Sequence, residues 1–311
     1  MGHVPGRVAA VAALLLATSF LLQADDSRPF LDRTTQHVAT VQLAPILNVQ
    51  AGNGGREYFT SRRQIVPLGS AVVTLPILMY HYIRKPPSIK TDQLGFKLSV
   101  SPADFQSQMD WLYANHFHPV NFNQARAYFA GTTALPSRPV VITFDDGYQD
   151  LYTTAFPILK AHGFTAVAYI VSGFVDRAYY VSRGQVLEMD RAGIEIASHT
   201  VNHADLARSG MGSVTYELVQ SKRWLEETVG HPVLDFAYPS GKFNAQTMQA
   251  VSRAGYSTAV TTLTSTVHSM ADRYSWGRVR VGGGESLQEF VANLGPSMPS
   301  TTVSTLDVEP S

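Results

Sequence analysis

Seven short apolar runs along this chain constrain its fold more than any other feature. The clearest of them, 140–144, is apolar and rich in β-branched residues, which is typical of a strand buried on both faces. Such strands belong to parallel sheets, whose helical crossovers cover both sides. The runs are 75–83, 140–144, 165–171, 194–198, 234–238, 257–262 and 277–281.

Helical patterns lie between most of these runs. The clearest begins at Ser101, an N-cap serine followed by Pro102 at the first helical position and Asp104 in the first turn. Strands that alternate with helices, without a glycine-rich dinucleotide fingerprint, predict an α/β fold, and we favour a closed parallel barrel over an open nucleotide-binding sheet. Further helical patterns cover 151–162, 185–192, 214–229, 244–254 and 286–294.

Composition excludes several classes of function. The chain has 24 basic and 24 acidic residues, so no excess charge indicates binding to nucleic acid. It contains no cysteine, which excludes disulfides and thiolate metal sites, so nitrogen and oxygen atoms must hold any metal. No feature indicates an obligate protein partner.

The N-terminus carries an apolar segment of signal-peptide length. Residues 8–22 are small and apolar and follow Arg7, and the run is short for a membrane span. We expect an export signal cleaved after Ala24, or else an uncleaved anchor that tethers the protein to a membrane. The protein would then be extracellular or part of the cell envelope. The predicted divisions are a signal or anchor over 1–24, an irregular lead-in over 25–74, a catalytic barrel over 75–295 and a disordered tail over 296–311.

Acids and histidines directly follow two of the predicted strands. Asp145 and Asp146 end the run 140–144, and His199 and His203 follow the run 194–198. Carboxylates at the mouth of an apolar core cost free energy unless a cation or hydrogen-bond donors meet them. A solvated Asp-Gly turn is the alternative for the acids taken alone. The carboxyl ends of barrel strands converge where active sites form, so we expect these side chains to lie together.

Three of these residues form a plausible metal-binding set. Asp146, His199 and His203 supply one carboxylate oxygen and two imidazole nitrogens, which suits zinc or a similar divalent ion and leaves positions open for catalysis. Two histidines four residues apart are a weak signal alone. Their occurrence with the paired acids, each set directly after an apolar strand, is a much stronger one.

Three motifs together resemble those of a known enzyme family. Thr-Phe-Asp-Asp-Gly-Tyr at 143–148, Ser-His-Thr-Val-Asn-His at 198–203 and Phe-Ala-Tyr-Pro-Ser-Gly at 236–241 are similar to the first three signature motifs of the polysaccharide deacetylases, the NodB-homology or carbohydrate esterase family 4 group. The resemblance extends over about 75–295. It implies a distorted seven-stranded parallel β/α barrel and metal-dependent removal of acetyl groups from polymeric N-acetylglucosamine, or less often from xylan.

The resemblance also implies residue roles. Asp145 would be the general base, and Asp146, His199 and His203 would hold one divalent metal, expected to be zinc, with cobalt and nickel as alternatives. A backbone N–H near Tyr238 would stabilise the oxyanion. These roles agree with the chemistry, because an amide is a poor electrophile and its hydrolysis needs both an activated water and charge stabilisation.

The chain departs from the family pattern at two positions. Ala237 stands where the family has an arginine that pairs with the base, and no Leu-x-His follows Val281 to supply the usual acid. The segment 79–83 resembles the first strand of the biofilm poly-N-acetylglucosamine deacetylases, in which an early histidine is the acid. We therefore predict His81 as general acid; the alternative is a core histidine bonded to a backbone carbonyl.

Two arginines are candidates for the missing partner of the base. Arg278 and Arg280 share one face of the last predicted strand, so either could orient Asp145. The alternative is that both are solvated or in structural ion pairs. Arg280, like Tyr238, is also a candidate for contact with the oxyanion or the substrate.

The predicted function is N-deacetylation of a β-linked N-acetylglucosamine polymer, such as a biofilm glycan, a chitin-like glycan or peptidoglycan. An O-acetyl esterase acting on xylan is one alternative, since ester and amide hydrolysis differ mainly in protonation of the leaving group. A catalytically retired barrel that only binds glycan is another, although a binding module has no use for a base beside a metal. A membrane-tethered scaffold is the weakest, since it depends on the N-terminal run alone.

Overall fold

The computed structural model describes residues 43–48, 60–65 and 72–295. The predicted signal or anchor over 1–24 and the predicted tail over 296–311 lie outside the described residues. Within the described part of the chain, no helix combines the length and the apolar character needed to cross a membrane.

The described residues form strands and helices that largely alternate from β4 onward. The strands are β1 (Leu43–Asn48), β2 (Thr60–Ile65), β3 (Val72–Thr74), β4 (Ile77–Tyr80), β5 (Tyr82–Ile83), β6 (Ser99–Val100), β7 (His118–Pro119), β8 (Pro139–Phe144), β9 (Val167–Ile170), β10 (Glu195–Ser198), β11 (Asp235–Ala237), β12 (Thr258–Val260), β13 (Val267–Ser269) and β14 (Val279–Arg280). The α-helices are α1 (Gln93–Leu98), α2 (Pro102–Ala114), α3 (Phe122–Phe129), α4 (Phe156–His162), α5 (Arg183–Arg191), α6 (Met211–Val229), α7 (Ala245–Arg253) and α8 (Leu287–Asn293).

Seven parallel strands form one curled sheet, a distorted half-barrel. Its strand order is β12-β11-β10-β9-β8-β4-β14, and the short strand β7 pairs with β8 beside this path. A parallel bridge between Val260 and Trp276 links the two edges of the sheet. Each of the seven predicted runs overlaps one of these strands, so the prediction of a distorted seven-stranded parallel α/β barrel is confirmed.

The strands are apolar on both faces because each face packs against a separate core. In β8, Val140, Ile142 and Phe144 contact the larger cluster beneath the helices, whereas Val141 faces the smaller cluster inside the barrel. Successive side chains of a strand point to opposite faces, so an uninterrupted apolar run is what two cores require. Trp276, which is fully buried, belongs to the inner cluster.

The structure differs from the sequence prediction near the first strand of the barrel. The predicted run 75–83 is divided, because β4 ends at Tyr80 and the chain turns at His81 so that β5 pairs with β6 instead. Part of the segment expected to be an irregular lead-in forms strands: β1 pairs with β2, and β3 pairs with β13, both antiparallel.

Two helices were not predicted. Helix α1 is short and contains Gly95, so its sequence carries little helical signal. Helix α3 begins with a capping box between Asn121 and Gln124, a signal that its sequence does provide.

Candidate active site

The carboxyl ends of the central strands bring the predicted site residues to one cavity. His81 follows β4, Asp145 and Asp146 follow β8, and His199 follows β10. The cavity has a volume of about 510 Å³ and opens to solvent. Its lining consists of His81, Leu94, Lys97, Leu98, Asp145, Asp146, Tyr148, His199, His203, Ser240, Thr262 and Arg280.

Asp146, His199 and His203 present ligand atoms to a common point. Oδ1 of Asp146 lies 3.4 Å from Nε2 of His199 and 3.4 Å from Nε2 of His203. One ligand atom from each residue lies within 4.8 Å of the other two. The buried Oδ1 of Asp146 has no hydrogen-bond partner among the described residues, which is the condition expected of an oxygen reserved for a cation. These residues therefore fit a divalent metal ion.

A backbone carbonyl sets the tautomer of His199. Its Nδ1 lies 2.8 Å from the carbonyl oxygen of Ala237, which can only accept a hydrogen bond. The neutral ring therefore carries its proton on Nδ1 and presents the lone pair of Nε2 toward Asp146 and His203. This is the usual arrangement for a metal-binding histidine.

The loops that carry the three residues adopt left-handed backbone conformations. Asp146 has φ of 74°, Thr200 of 70° and His203 of 55°. Non-glycine residues rarely adopt positive φ, and those that do often mark functional sites. Gly147, with φ of 77°, continues the turn, and a Cβ there would lie 3.1 Å from the Ile170 side chain.

Glu217 of α6 fixes the loop between the two histidines. Its carboxylate accepts hydrogen bonds from the backbone N–H groups of Val201 and Asn202, at 2.8 and 2.9 Å, and from the side-chain amide of Asn202, at 2.8 Å. Glu217 is buried. Glu217 was not predicted as a site residue, because nothing in the sequence around it indicates contact with a loop about fifteen residues earlier.

Arg278 lies beneath Asp145 and pairs with it in a two-point contact. Nη1 and Nη2 of Arg278 donate to the two carboxylate oxygens, each at 2.7 Å, and Nε donates to the carbonyl of Thr261 at 2.9 Å. Burial raises the pKa of Asp145, but the charge and hydrogen bonds of Arg278 outweigh it, so the pKa lies well below its usual range. Of the two candidate arginines, the structure thus brings Arg278 to Asp145.

His81 lies at the cavity side of Asp145. Its Nε2 is 3.8 Å from Oδ2 of Asp145, and its side chain is 11% exposed. Burial lowers the pKa of His81, and the neighbouring Asp145 opposes this shift. Nδ1 is buried and has no hydrogen-bond partner within 72–295, so the backbone-carbonyl bond expected of a core histidine is not present there.

Comparisons with known proteins decide the family. A family model described as polysaccharide deacetylase matches residues 132–259. The Bacillus subtilis protein YxkH, named as a polysaccharide deacetylase, is 31% identical over 220 residues, which cover 71% of this chain and 76% of that protein. The chain belongs to the polysaccharide deacetylase family. It is therefore a deacetylase, which is a kind of hydrolase.

Two further relatives of this deacetylase are informative. The poly-β-1,6-N-acetyl-D-glucosamine N-deacetylase of Escherichia coli K12 is 28% identical over 240 residues, 63% of this chain but 36% of that protein. The chain thus spans about a third of that relative. The Streptococcus pyogenes deacetylase PplD, solved in complex with acetate, matches with a TM-score of 0.67 and 28% identity, over 73% of this chain and all of PplD.

The structure does not bring Tyr238 of the deacetylase to the cavity lining. Its backbone N–H donates to Val260 at 3.1 Å, its hydroxyl donates to the carbonyl of Tyr274 at 3.1 Å, and the residue is fully buried. The chain still pairs with β12 at Tyr238, so the N–H of Tyr238 itself belongs to the sheet. Ser240, two residues later and with φ of 54°, lines the cavity instead.

Arg280 and helix α1 complete the cavity of the deacetylase. Arg280 lines it and is exposed, and Leu94, Lys97 and Leu98 reach it from α1. Tyr148, two residues after Asp146, also lines it. The contribution of α1 to the cavity was not predicted, because no local sequence pattern indicates that this short helix packs beside the carboxyl end of β14.

Proposed function

We propose that this protein is a metal-dependent N-deacetylase of a β-linked N-acetylglucosamine polymer. One observation supports the proposal most: a buried, arginine-paired carboxylate, Asp145, shares an open cavity with the potential metal ligands Asp146, His199 and His203. A general base beside a metal is the arrangement that hydrolysis of an unreactive amide needs.

Asp145 is the general base in this proposal. Arg278 holds its carboxylate ionised and in a fixed orientation, so Asp145 can accept a proton from the attacking water at neutral pH. His81, on the cavity side of the base, is the general acid. Burial lowers the pKa of His81, so its protonated form gives up a proton readily to the departing amine nitrogen.

We propose zinc as the bound ion. Two imidazole nitrogens and one carboxylate oxygen form the donor set, and the unpartnered Oδ1 of Asp146 fits a cation. When bound, such an ion supplies Lewis acidity and makes water easier to deprotonate. A backbone N–H at the cavity edge, for which Ser240 is the nearest candidate to the predicted position, would stabilise charge on the carbonyl oxygen.

The polymer and the location are proposals as well. The name of the Escherichia coli relative favours a poly-N-acetylglucosamine substrate, and chitin-like glycans and peptidoglycan are the other candidates. An O-acetyl esterase acting on xylan remains the alternative, since it would need the same base and metal. We propose that the protein is exported, on the basis of the apolar run 8–22, which either is removed or tethers it to a membrane.

Acetate release tests the proposal. Purified protein is incubated with chitin oligomers, β-1,6-linked N-acetylglucosamine oligomers, peptidoglycan fragments and acetylxylan, before and after chelation and with metal restored. We expect release from an N-acetylated glycan that chelation abolishes and zinc restores, and that Asp145→Asn lowers at least 100-fold. Release from acetylxylan alone would favour the esterase, and chelator-resistant activity would contradict the metal-dependent mechanism.

A further inference from the structure

Two basic side chains without partners line the cavity. Lys97 lies in the last turn of α1, and Arg280 ends β14. Both are exposed, and neither side chain has an ion pair or a hydrogen bond within the described part of the chain. The basic edge, as we call Lys97 and Arg280 together, therefore faces the cavity with its charge unpaired.

Other charges around the cavity are already matched. Arg278 pairs with Asp145, and Lys242, two residues after the lining residue Ser240, pairs with Asp205 at 2.8 Å. Asp146 belongs to the potential metal site. With Asp145 and Asp146 accounted for, the lining described here has no further acid to balance the basic edge. The cavity is thus electrostatically suited to a ligand that carries negative charge near the reacting sugar.

Close backbone packing joins the two segments that carry these cations. A Cβ atom at Gly282 would lie 2.4 Å from the Lys97 carbonyl oxygen, and one at Gly283 would lie 2.2 Å from the Phe96 carbonyl oxygen. Glycine at these positions lets the segment after β14 rest directly on the last turn of α1. Arg280 is two residues before Gly282, so the basic edge belongs to a packed junction of two elements rather than to a free loop.

We propose that Lys97 and Arg280 bind an acidic group, a carboxylate or a phosphate, carried by the glycan next to the N-acetylated sugar. The inference rests on the proposed deacetylase function and narrows its substrate to an anionic N-acetylated glycan. A neutral homopolymer leaves both cations unpaired. A partly deacetylated glucosamine polymer carries ammonium groups, which the basic edge repels.

The test compares oligosaccharides of equal length that differ in charge. Neutral N-acetylglucosamine oligomers are compared with oligomers containing N-acetylmuramic acid, which carry a carboxylate, and with oligomers bearing a phosphate ester. For the wild-type protein we expect kcat/KM about tenfold higher on an acidic oligomer, mostly through a lower KM, with the preference reduced by added salt. The acidic oligomer with the higher kcat/KM shows whether the bound acidic group is a carboxylate or a phosphate.

Variants locate the preference on the basic edge. In the double variant Lys97→Gln, Arg280→Gln the ratio of kcat/KM on acidic and neutral oligomers should fall to about one. Lys90→Gln is the control, because Lys90 is exposed, lies just before α1 and does not line the cavity. This variant should keep the wild-type ratio. Equal kcat/KM on acidic and neutral oligomers, or a preference that survives in the double variant, would overturn the inference and leave the deacetylase function standing.

Binding separates this inference from the proposed function. If no oligomer releases acetate, the proposed function fails, and calorimetry on the metal-free protein then tests the basic edge by itself. Tighter binding of acidic than of neutral oligomers, lost in the double variant, supports the subsite. Equal binding of both kinds of oligomer contradicts it.

Discussion

At the scale of single residues, a buried guanidinium controls the protonation of the proposed base. Arg278 is fully buried and holds both oxygens of Asp145, while Arg280 is exposed at the cavity. The sequence placed both arginines on one face of a strand but could not tell them apart. The two arginines differ in how deeply they lie in the barrel. That depth depends on where β14 pairs along β4, which the sequence does not indicate.

Replacing Arg278 should shift the acidic limb of the pH–rate profile. Arg278 lowers the pKa of Asp145, so Arg278→Gln should raise that pKa and move the acidic limb of kcat/KM to higher pH. Arg280→Gln serves as the matched control and should shift the limb much less. Arg278→Gln should also lower the free energy of unfolding by about 3 kcal/mol, because Asp145 then stays buried without its partner. An acidic limb that stays in place in Arg278→Gln would exclude Arg278 as the partner of the base.

Replacing His81 should separate amide from ester hydrolysis. An amine leaves only when it is protonated, whereas a nitrophenolate leaves without a proton. His81→Gln should therefore lower turnover of an N-acetylated glycan about 10²- to 10⁴-fold and turnover of 4-nitrophenyl acetate far less. Steady-state rates on both substrates, with circular dichroism to confirm folding, check this. Unchanged glycan turnover would refute the acid role of His81.

At the scale of elements, α6 supports the loop that follows β10. The length and the apolar periodicity of α6 were enough to predict the helix, but its contact with the loop through Glu217 was not predictable from local pattern. The antiparallel pair of β3 with β13 and the parallel pair of β5 with β6 were missed for a related reason. Strands of two or three residues are too short to show a period.

Replacing Glu217 should weaken metal binding although Glu217 is not itself a proposed metal ligand. Its carboxylate holds the N–H groups of Val201 and Asn202 between the two histidines, so Glu217→Gln should lower zinc affinity about tenfold. Glu227→Gln is the matched control, because Glu227 pairs with Arg223 on the exposed side of α6. Competition with a chromophoric chelator measures both affinities. Equal affinities in the two variants would show that the loop does not depend on Glu217.

At the scale of the whole molecule, the seven strand runs predicted the curled sheet, but not how its edges meet. The closure at Val260 and Trp276 pairs residues from two segments with no shared pattern. Another buried cluster lies at the amino-terminal end of the sheet, where Arg126 contacts both Glu195 and Asp235. Two acids thus share one cation in the interior.

This cluster should make stability depend on pH. Burial, and then the nearby Asp235, raise the pKa of Glu195 well above its usual range, so the folded state keeps a proton that the unfolded chain releases. The free energy of unfolding should therefore fall as pH rises above about 4.3, the usual pKa of a glutamate. Glu195→Gln, which mimics the protonated acid, should flatten this dependence in urea titrations from pH 5 to 9. A slope equal to that of the wild type would contradict the assignment.

The most direct test of the account is the metal content of the purified protein, measured by inductively coupled plasma mass spectrometry. The account predicts about one equivalent of a divalent metal, expected to be zinc, in the wild-type protein. It also predicts that His199→Ala and His203→Ala lose this metal, while His231→Ala, which removes a largely exposed histidine paired with Asp190, retains it. A wild-type protein that holds no divalent metal after reconstitution, or ligand variants that hold as much as the wild type, would contradict it.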